Sequence, residues 1–208
     1  MQDNGRGILT IVSGFAGSGK GTVMNRLISE HKNYALSVSA TSRAPRPGEE
    51  DGKSYFFKTR EQFEEMIRDD MLLEYAEYVG NYYGTPKDFV FNKMDEGKDV
   101  ILEIEIQGAM QVKKKYPDTL LIFLAPPSAD EIYRRLKGRG TETDEVIAKR
   151  MKRAHEETDF IKDYDFLVIN DNIDDCTERV HNIIQSAHHT VGHEAEMIDK
   201  LKAGLLKY

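Results

Sequence analysis

The strongest chemical signal in the chain is the segment GILTIVSGFAGSGKGT, residues 7–22, in which an apolar run leads into clustered glycines, a lysine and a threonine. It reads as a strand running into a glycine-rich loop and then a helix, the context that a phosphate-binding loop requires. Gly14, Gly17 and Gly19 let the backbone bend so that successive N–H groups converge on phosphate oxygens. Lys20 adds an ammonium against the β- and γ-phosphates, and the helix that follows turns its positive end to the same anion. The candidate ligands of a nucleoside triphosphate are therefore Gly14, Phe15, Ala16, Gly17, Ser18, Gly19, Lys20, Gly21 and Thr22. The residue after the lysine is Gly21, and the hydroxyl is delayed to Thr22. A metal ligand directly after the lysine is thereby ruled out. Mg²⁺ is expected to arrive on the nucleotide's phosphates, with Thr22 as the one candidate donor from the protein.

Two further clusters of cations are placed to meet anions. Arg43 and Arg46 flank Pro45, and Pro47-Gly48 forces a turn that can aim both guanidinium forks at one phosphate dianion. Residues 129–162 carry Arg134, Arg135, Arg139, Arg150 and Arg153, so a basic segment sits in a chain whose net charge is −7. Pairing at helical spacing on an exposed face accounts for Lys149, Lys152 and Arg153. His188, His189 and His193 read as a solvent-exposed end, not a metal site.

These side chains need a scaffold, and the sequence supplies one. The chain has 208 residues, 39% hydrophobic and 31% charged, which excludes disorder and suits one folding unit with a sizeable core. No apolar run reaches the roughly 20 residues that span a bilayer, and no signal peptide is expected. Net acidity argues against nucleic-acid binding. Cys176 is the only cysteine, which forbids an internal disulfide and fits a reducing cytoplasm. Strands are expected at 8–12, 35–38, 100–106, 120–124 and 166–169, with helices at 21–30, 129–137, 144–158 and 173–187. That alternation predicts an α/β fold, a parallel five-stranded sheet with helices on both faces. Residues 40–92 interrupt the pattern with a turn-rich segment, a short helix near 61–68 and tyrosine-rich strands, and read as an insertion with its own small sheet. Residues 129–162 break at KGRGTET between two helices and read as a mobile flap.

The loop ending Gly-Lys-Gly-Thr resembles that of several nucleoside monophosphate kinases. The segments SVSATSRAPRPGEEDGKSYFF, LLEYAEYVGNYYGTP, VILEIEIQGA, APPS and RLKGRGTET follow in order, and together they resemble the guanylate kinase family over residues 7–187. The resemblance implies a P-loop NTPase-type core (1–39, 93–128 and 163–187), a GMP-binding region (40–92), a lid (129–162) and a C-terminal helical extension (188–208). It implies transfer of the γ-phosphoryl of ATP to GMP with Mg²⁺, in purine nucleotide metabolism. Arg43 and Arg46, helped by the hydroxyls of Tyr55 and Tyr83, then hold the GMP phosphate. Glu74, Thr85 and Ser39 face the guanine. Glu103 and Glu105, read as neighbours on one face of a strand, belong to the guanine or ribose side. The family's usual aspartate is Glu105 here. Lys20, Arg135, Arg139 and Arg150 match the family's catalytic and lid cations. Two alternatives stay open at this point: a monophosphate kinase for another base, and a guanylate-kinase-like module that binds without catalysis. Oligomeric state, monomer or homo-oligomer, is not legible.

Overall fold

The computed structural model describes residues 5–138, 140 and 142–208. Arg139, one of the expected catalytic cations, and Thr141 lie outside the described residues. In chain order the elements are β1 (Leu9–Gly14), α1 (Lys20–Glu30), β2 (Tyr34–Leu36), β3 (Ala40–Thr41), β4 (Phe56–Phe57), α2 (Arg60–Arg68), β5 (Leu72–Tyr78) and β6 (Asn81–Pro86). There follow α3 (Lys87–Asp95), β7 (Asp99–Leu102), α4 (Ile106–Lys115), β8 (Leu120–Ala125), α5 (Ala129–Gly138) and α6 (Asp144–Glu157). A 3₁₀ turn (Thr158–Asp163), β9 (Phe166–Ile169), α7 (Ile173–Ala187) and α8 (Ala195–Leu205) complete the chain.

Five strands form one parallel sheet in the order β2-β7-β1-β8-β9. The central β1 and β8 read LTIVSG and LLIFLA, nearly continuous apolar runs, because helices cover both faces. One core cluster gathers Ile11, Leu102, Leu121 and Phe123 with Ala109 and Val112 of α4 and Leu136 of α5. The other gathers Val12, Ile122 and Leu124 with Val23 and Leu27 of α1 and Val180 and Ile184 of α7. Odd and even positions along the strands thus serve opposite helix layers, as the two-residue period of a strand demands. Because β1 is central, its C-terminal end opens at the middle of the sheet edge, where α/β folds place ligands.

The insertion forms a four-stranded mixed sheet, β4-β3-β6-β5, closed by α2. Its own core is small: Ala40, Phe63 and Leu72 are buried, with Phe56, Met66 and Tyr82 packed around them. The α2 helix opens with a reciprocal cap between Thr59 and Gln62 that fixes its start. The insertion is tied to the main core through Leu73 of β5 and Val90 and Met94 of α3. The expected boundary at residue 92 therefore falls within a helix that packs on the parallel sheet.

The apolar run 100–106 is not one strand. It ends at Leu102, turns through 103–105 and enters α4 with Glu105 as the N-cap residue. Short apolar runs do not distinguish a strand from the strand–turn–helix that follows it. His188 also departs from expectation. Its ring meets the carboxylate of buried Asp99 at 2.8 Å, and Asp99 further accepts from the amide of Ile8, Asn33 and Gln185. Four donors make this buried carboxylate tenable, and they pin α7 to the sheet. Cys176 is fully buried against β9 and α1, and burial pushes its thiol up to about 11, so it is a small apolar filler and not a nucleophile.

Candidate functional site

At the C-terminal end of β1 the chain enters the loop Gly14–Gly19 and then α1. Gly19 serves as the N-cap of α1 with φ +83, and a Cβ there would lie 2.5 Å from Asn170 Nδ2, so only glycine fits. The helix has neither a side-chain cap nor an acidic residue in its first turn. Its leading N–H groups are thus left for an outside acceptor, which is what an anion site needs. The loop is braced from behind. Asn170, after β9, donates to the Ser18 carbonyl at 2.7 Å, and Arg135 of α5 reaches the carbonyls of Ser18 at 3.2 Å and Asn170 at 2.9 Å. The Ser18 hydroxyl is buried without a hydrogen-bond partner among the described residues.

A cleft of about 510 Å³ opens over this loop. The residues 14–22 line it, together with Asn25, Glu103, Glu105, and Arg150, Arg153 and Glu157 of α6. Every loop residue named from the sequence is there. Lys20 is half-buried, and Thr22 is exposed at the first turn of α1. Arg150 pairs through Nε with Glu142 at 2.8 Å, and its remaining guanidinium nitrogens have no other partner among the described residues. Arg135 differs from expectation: it does not line the cleft, because its guanidinium is engaged by backbone carbonyls and by Glu131 at 2.6 Å. It shapes the loop from behind. Glu103 and Glu105 do face the cleft, but from the turn between β7 and α4 and not from a strand.

The second cluster is built on the small sheet. Arg43 is held by both oxygens of Glu49, at 2.9 and 3.0 Å, and lies over the rings of Tyr55 and Phe57, 5.4 and 6.0 Å from their centroids. Glu49, with Tyr83 also contributing, holds the guanidinium well above its usual pKa, and Arg43 in turn lowers that of Glu49. Tyr55 and Tyr83 meet edge to face at 6.0 Å. Of Arg43, Arg46, Tyr55 and Tyr83, the four that the resemblance named together, Arg43 and the two tyrosines lie side by side. Arg46 is exposed, and Glu49 accepts its backbone N–H at 2.7 Å. Sequence reasoning passed over Glu49, although a carboxylate just past Pro47-Gly48 is well placed to organise two arginines across one turn.

Glu74, on β5, is 7% exposed and accepts the Thr85 hydroxyl at 2.7 Å. Burial, only partly offset by the hydrogen bonds from Thr85, raises its carboxyl pKa. Its other oxygen points at α4, where a Cβ on Gly108 would come within 3.0 Å. Ser39 precedes β3, where its carbonyl accepts from Phe56. The first turn of α4 therefore touches both halves of the site: Glu105 faces the loop cleft, and Gly108 gives room to Glu74. Arg153 and Glu157 were missed in the sequence as cleft residues because their pairing at helical spacing looks like surface charge.

Comparison with known proteins agrees with this architecture. The guanylate kinase family model matches residues 6–187. A guanylate kinase of Lactococcus lactis is 52% identical over 201 residues, covering 95% of this chain and 98% of that protein. One from Streptococcus pneumoniae is 52% identical over 200 residues, covering 94% and 96%. The crystal structure of guanylate kinase from Anaplasma phagocytophilum superposes with a TM-score of 0.69 at 30% identity, covering 89% of this chain and 88% of that one. With the family model matched over residues 6–187 and relatives 52% identical over nearly its whole length, the chain belongs to the guanylate kinase family.

Proposed function

We propose that the chain is an ATP:GMP phosphotransferase, with ATP on the loop of residues 14–22 and GMP against the small sheet. The observation that carries this reading is the pair of anion-receptive clusters, Lys20 with the uncapped α1 and Arg43 with Tyr55 and Tyr83, joined by a buried carboxylate suited to guanine. Guanine presents N1–H and N2–H on one edge, so an acceptor-only group is needed there, and Glu74 when ionised is one. The Thr85 hydroxyl holds one of its carboxylate oxygens in place. Ser39 is a further hydroxyl on that side. Arg43 and Arg46, with Tyr55 and Tyr83, hold the acceptor phosphate; Glu103 and Glu105 face the space between acceptor and donor.

The reaction needs no strong base, because the acceptor oxygen is already anionic near neutral pH. Positioning and neutralisation of charge supply the rate. Lys20 and the loop amides hold the donor phosphates, Arg150 and Arg139 meet charge that develops during transfer, and Arg135 keeps the loop in shape. A magnesium ion fits the oxygen donors present, since the Thr22 hydroxyl is exposed at the first turn of α1 and Glu103 Oε1 lies 3.8 Å from the place of a Cβ on Gly21. Thr22 and Glu103 would be the residues to hold it, and the chemistry it would supply is neutralisation of phosphate charge. No helix among the described residues is long and apolar enough to cross a membrane. A cytoplasmic setting, where ATP and GMP meet, completes the proposal.

The test is an assay of ADP release with GMP, AMP, CMP and UMP as acceptors, with and without Mg²⁺. GMP should be used far better than the others and only with the metal. Equal use of all four bases would remove the guanine assignment, and no transfer to any would remove the enzyme reading.

A further inference from the structure

Arg153 lies where the flap helix, the acceptor side and the donor loop converge. It is three residues beyond Arg150, so both project from one face of α6, and both line the cleft over the loop. Its Nη2 pairs with Oε2 of Glu105, while its Nε donates to Glu157 Oε1 at 2.8 Å. The Glu157 side chain is 17% exposed, whereas Arg153 and Glu105 are 58% and 71% exposed, so the inner carboxylate anchors the guanidinium and the guanidinium aims the outer one. Glu105 is the N-cap residue of α4 yet makes no capping hydrogen bond, which leaves its carboxylate free for Arg153. Burial raises the pKa of Glu157, and the ammonium of Lys20 on the loop is among the cations that lower it.

We propose that Arg153 is a positioning residue for the acceptor nucleotide: by pairing with Glu105 it orients and neutralises that carboxylate beside the incoming GMP, and so couples acceptor binding to the flap helix. The inference rests on the function proposed above. The electrostatic logic is direct. Glu103, Glu105 and Glu157 bring three carboxylates to a cleft that must admit a triphosphate and a monophosphate, and Lys20, Arg150 and Arg153 bring three cations. Without Arg153 the carboxylates are in excess, and Glu105, nearest the acceptor side, is both unpaired and unaimed. A bare Glu105 repels the acceptor phosphate. A paired one can accept from a ribose or base donor without opposing it. The donor loop keeps its own amides and Lys20, so ATP should be affected much less.

The test is a kinetic cycle of wild type, Arg153→Ala, Glu105→Gln and the double variant, with Arg153→Lys as the conservative control. KM for GMP and for ATP, kcat and the thermal midpoint are measured for each. Arg153→Ala should raise KM for GMP about tenfold, within the range of coupling between groups in contact, with KM for ATP and kcat changed less than about threefold. The double variant should be no worse for GMP than the poorer single variant, because the neutral amide needs no partner. Lysine should restore part of the loss. A tenfold rise shared equally by ATP and GMP, a fully additive double variant, or an unchanged KM for GMP would each overturn the proposal. Failure of the wild type to use GMP would instead sink the underlying function, so the two outcomes are distinct.

Discussion

Arg150→Ala is expected to lower kcat by about 10³-fold, roughly 4 kcal/mol of transition-state stabilisation, as removal of a phosphate-facing arginine does in phosphoryl transfer. The side chain lines the donor cleft, and Glu142 is its one ion-pair partner among the described residues. Its fork is thus already at the place where charge spreads during transfer, and no other described cation on α6 can replace it, since Arg153 is engaged twice. The fold should keep its shape at a modest cost. Arg150 is 41% exposed but its partner Glu142 only 12%, so removal leaves a sheltered carboxylate unpaired and costs about 1–2 kcal/mol, more than a surface pair would. Steady-state kinetics beside a thermal melt check this directly: a fall in kcat far larger than the small drop in midpoint can explain is the expected pair of results, and normal turnover would remove Arg150 from the catalytic set.

Glu74→Gln should separate function from stability in the opposite sense. An ionised carboxylate accepts from both N1–H and N2–H of guanine, whereas the amide turns an NH₂ toward a donor. A site built to hydrogen-bond its substrate discriminates by a factor on the order of 10⁴, and most of that preference for GMP over AMP should go. Stability should hold or rise. Burial lifts the folded-state pKa of Glu74 above that of the unfolded chain, so between the two values the folded protein binds more protons and stability falls as pH rises through that window. At neutral pH the ionised group therefore weighs against folding, and glutamine removes that burden while keeping a partner for Thr85. The check is acceptor discrimination together with melts at a series of pH values from 4.5, the ordinary glutamate value, up to neutral. The wild type should lose more stability than the variant over that rise. Unchanged discrimination would count against Glu74 as the guanine group.

What the sequence could and could not reveal follows from how far each contact reaches along the chain. The donor loop was fully legible because its strand, glycines, lysine and helix are consecutive, and their geometry is local. Tyr55 and Tyr83 were legible only through resemblance, since no periodicity brings the residue before β4 and one of β6 beside Arg43. The carboxylates at 103 and 105 were assigned to a strand because VILEIEI alternates like one, yet tertiary packing ends the strand at Leu102 and starts α4. Arg153 was read as a helix-surface cation. Its pairing with Glu157 is indeed there, but the bond to Glu105 crosses 48 positions and left no trace in local spacing. The same holds for His188 and Asp99, separated by 89 positions.

The central claim is that donor and acceptor occupy separate cradles at once. It is tested most directly by calorimetric titration of GMP into protein saturated with a non-hydrolysable ATP analogue and Mg²⁺. Uptake of one GMP per chain, with the analogue still bound, is the predicted result. Loss of GMP binding in proportion to analogue occupancy would mean a single shared site and would contradict the account.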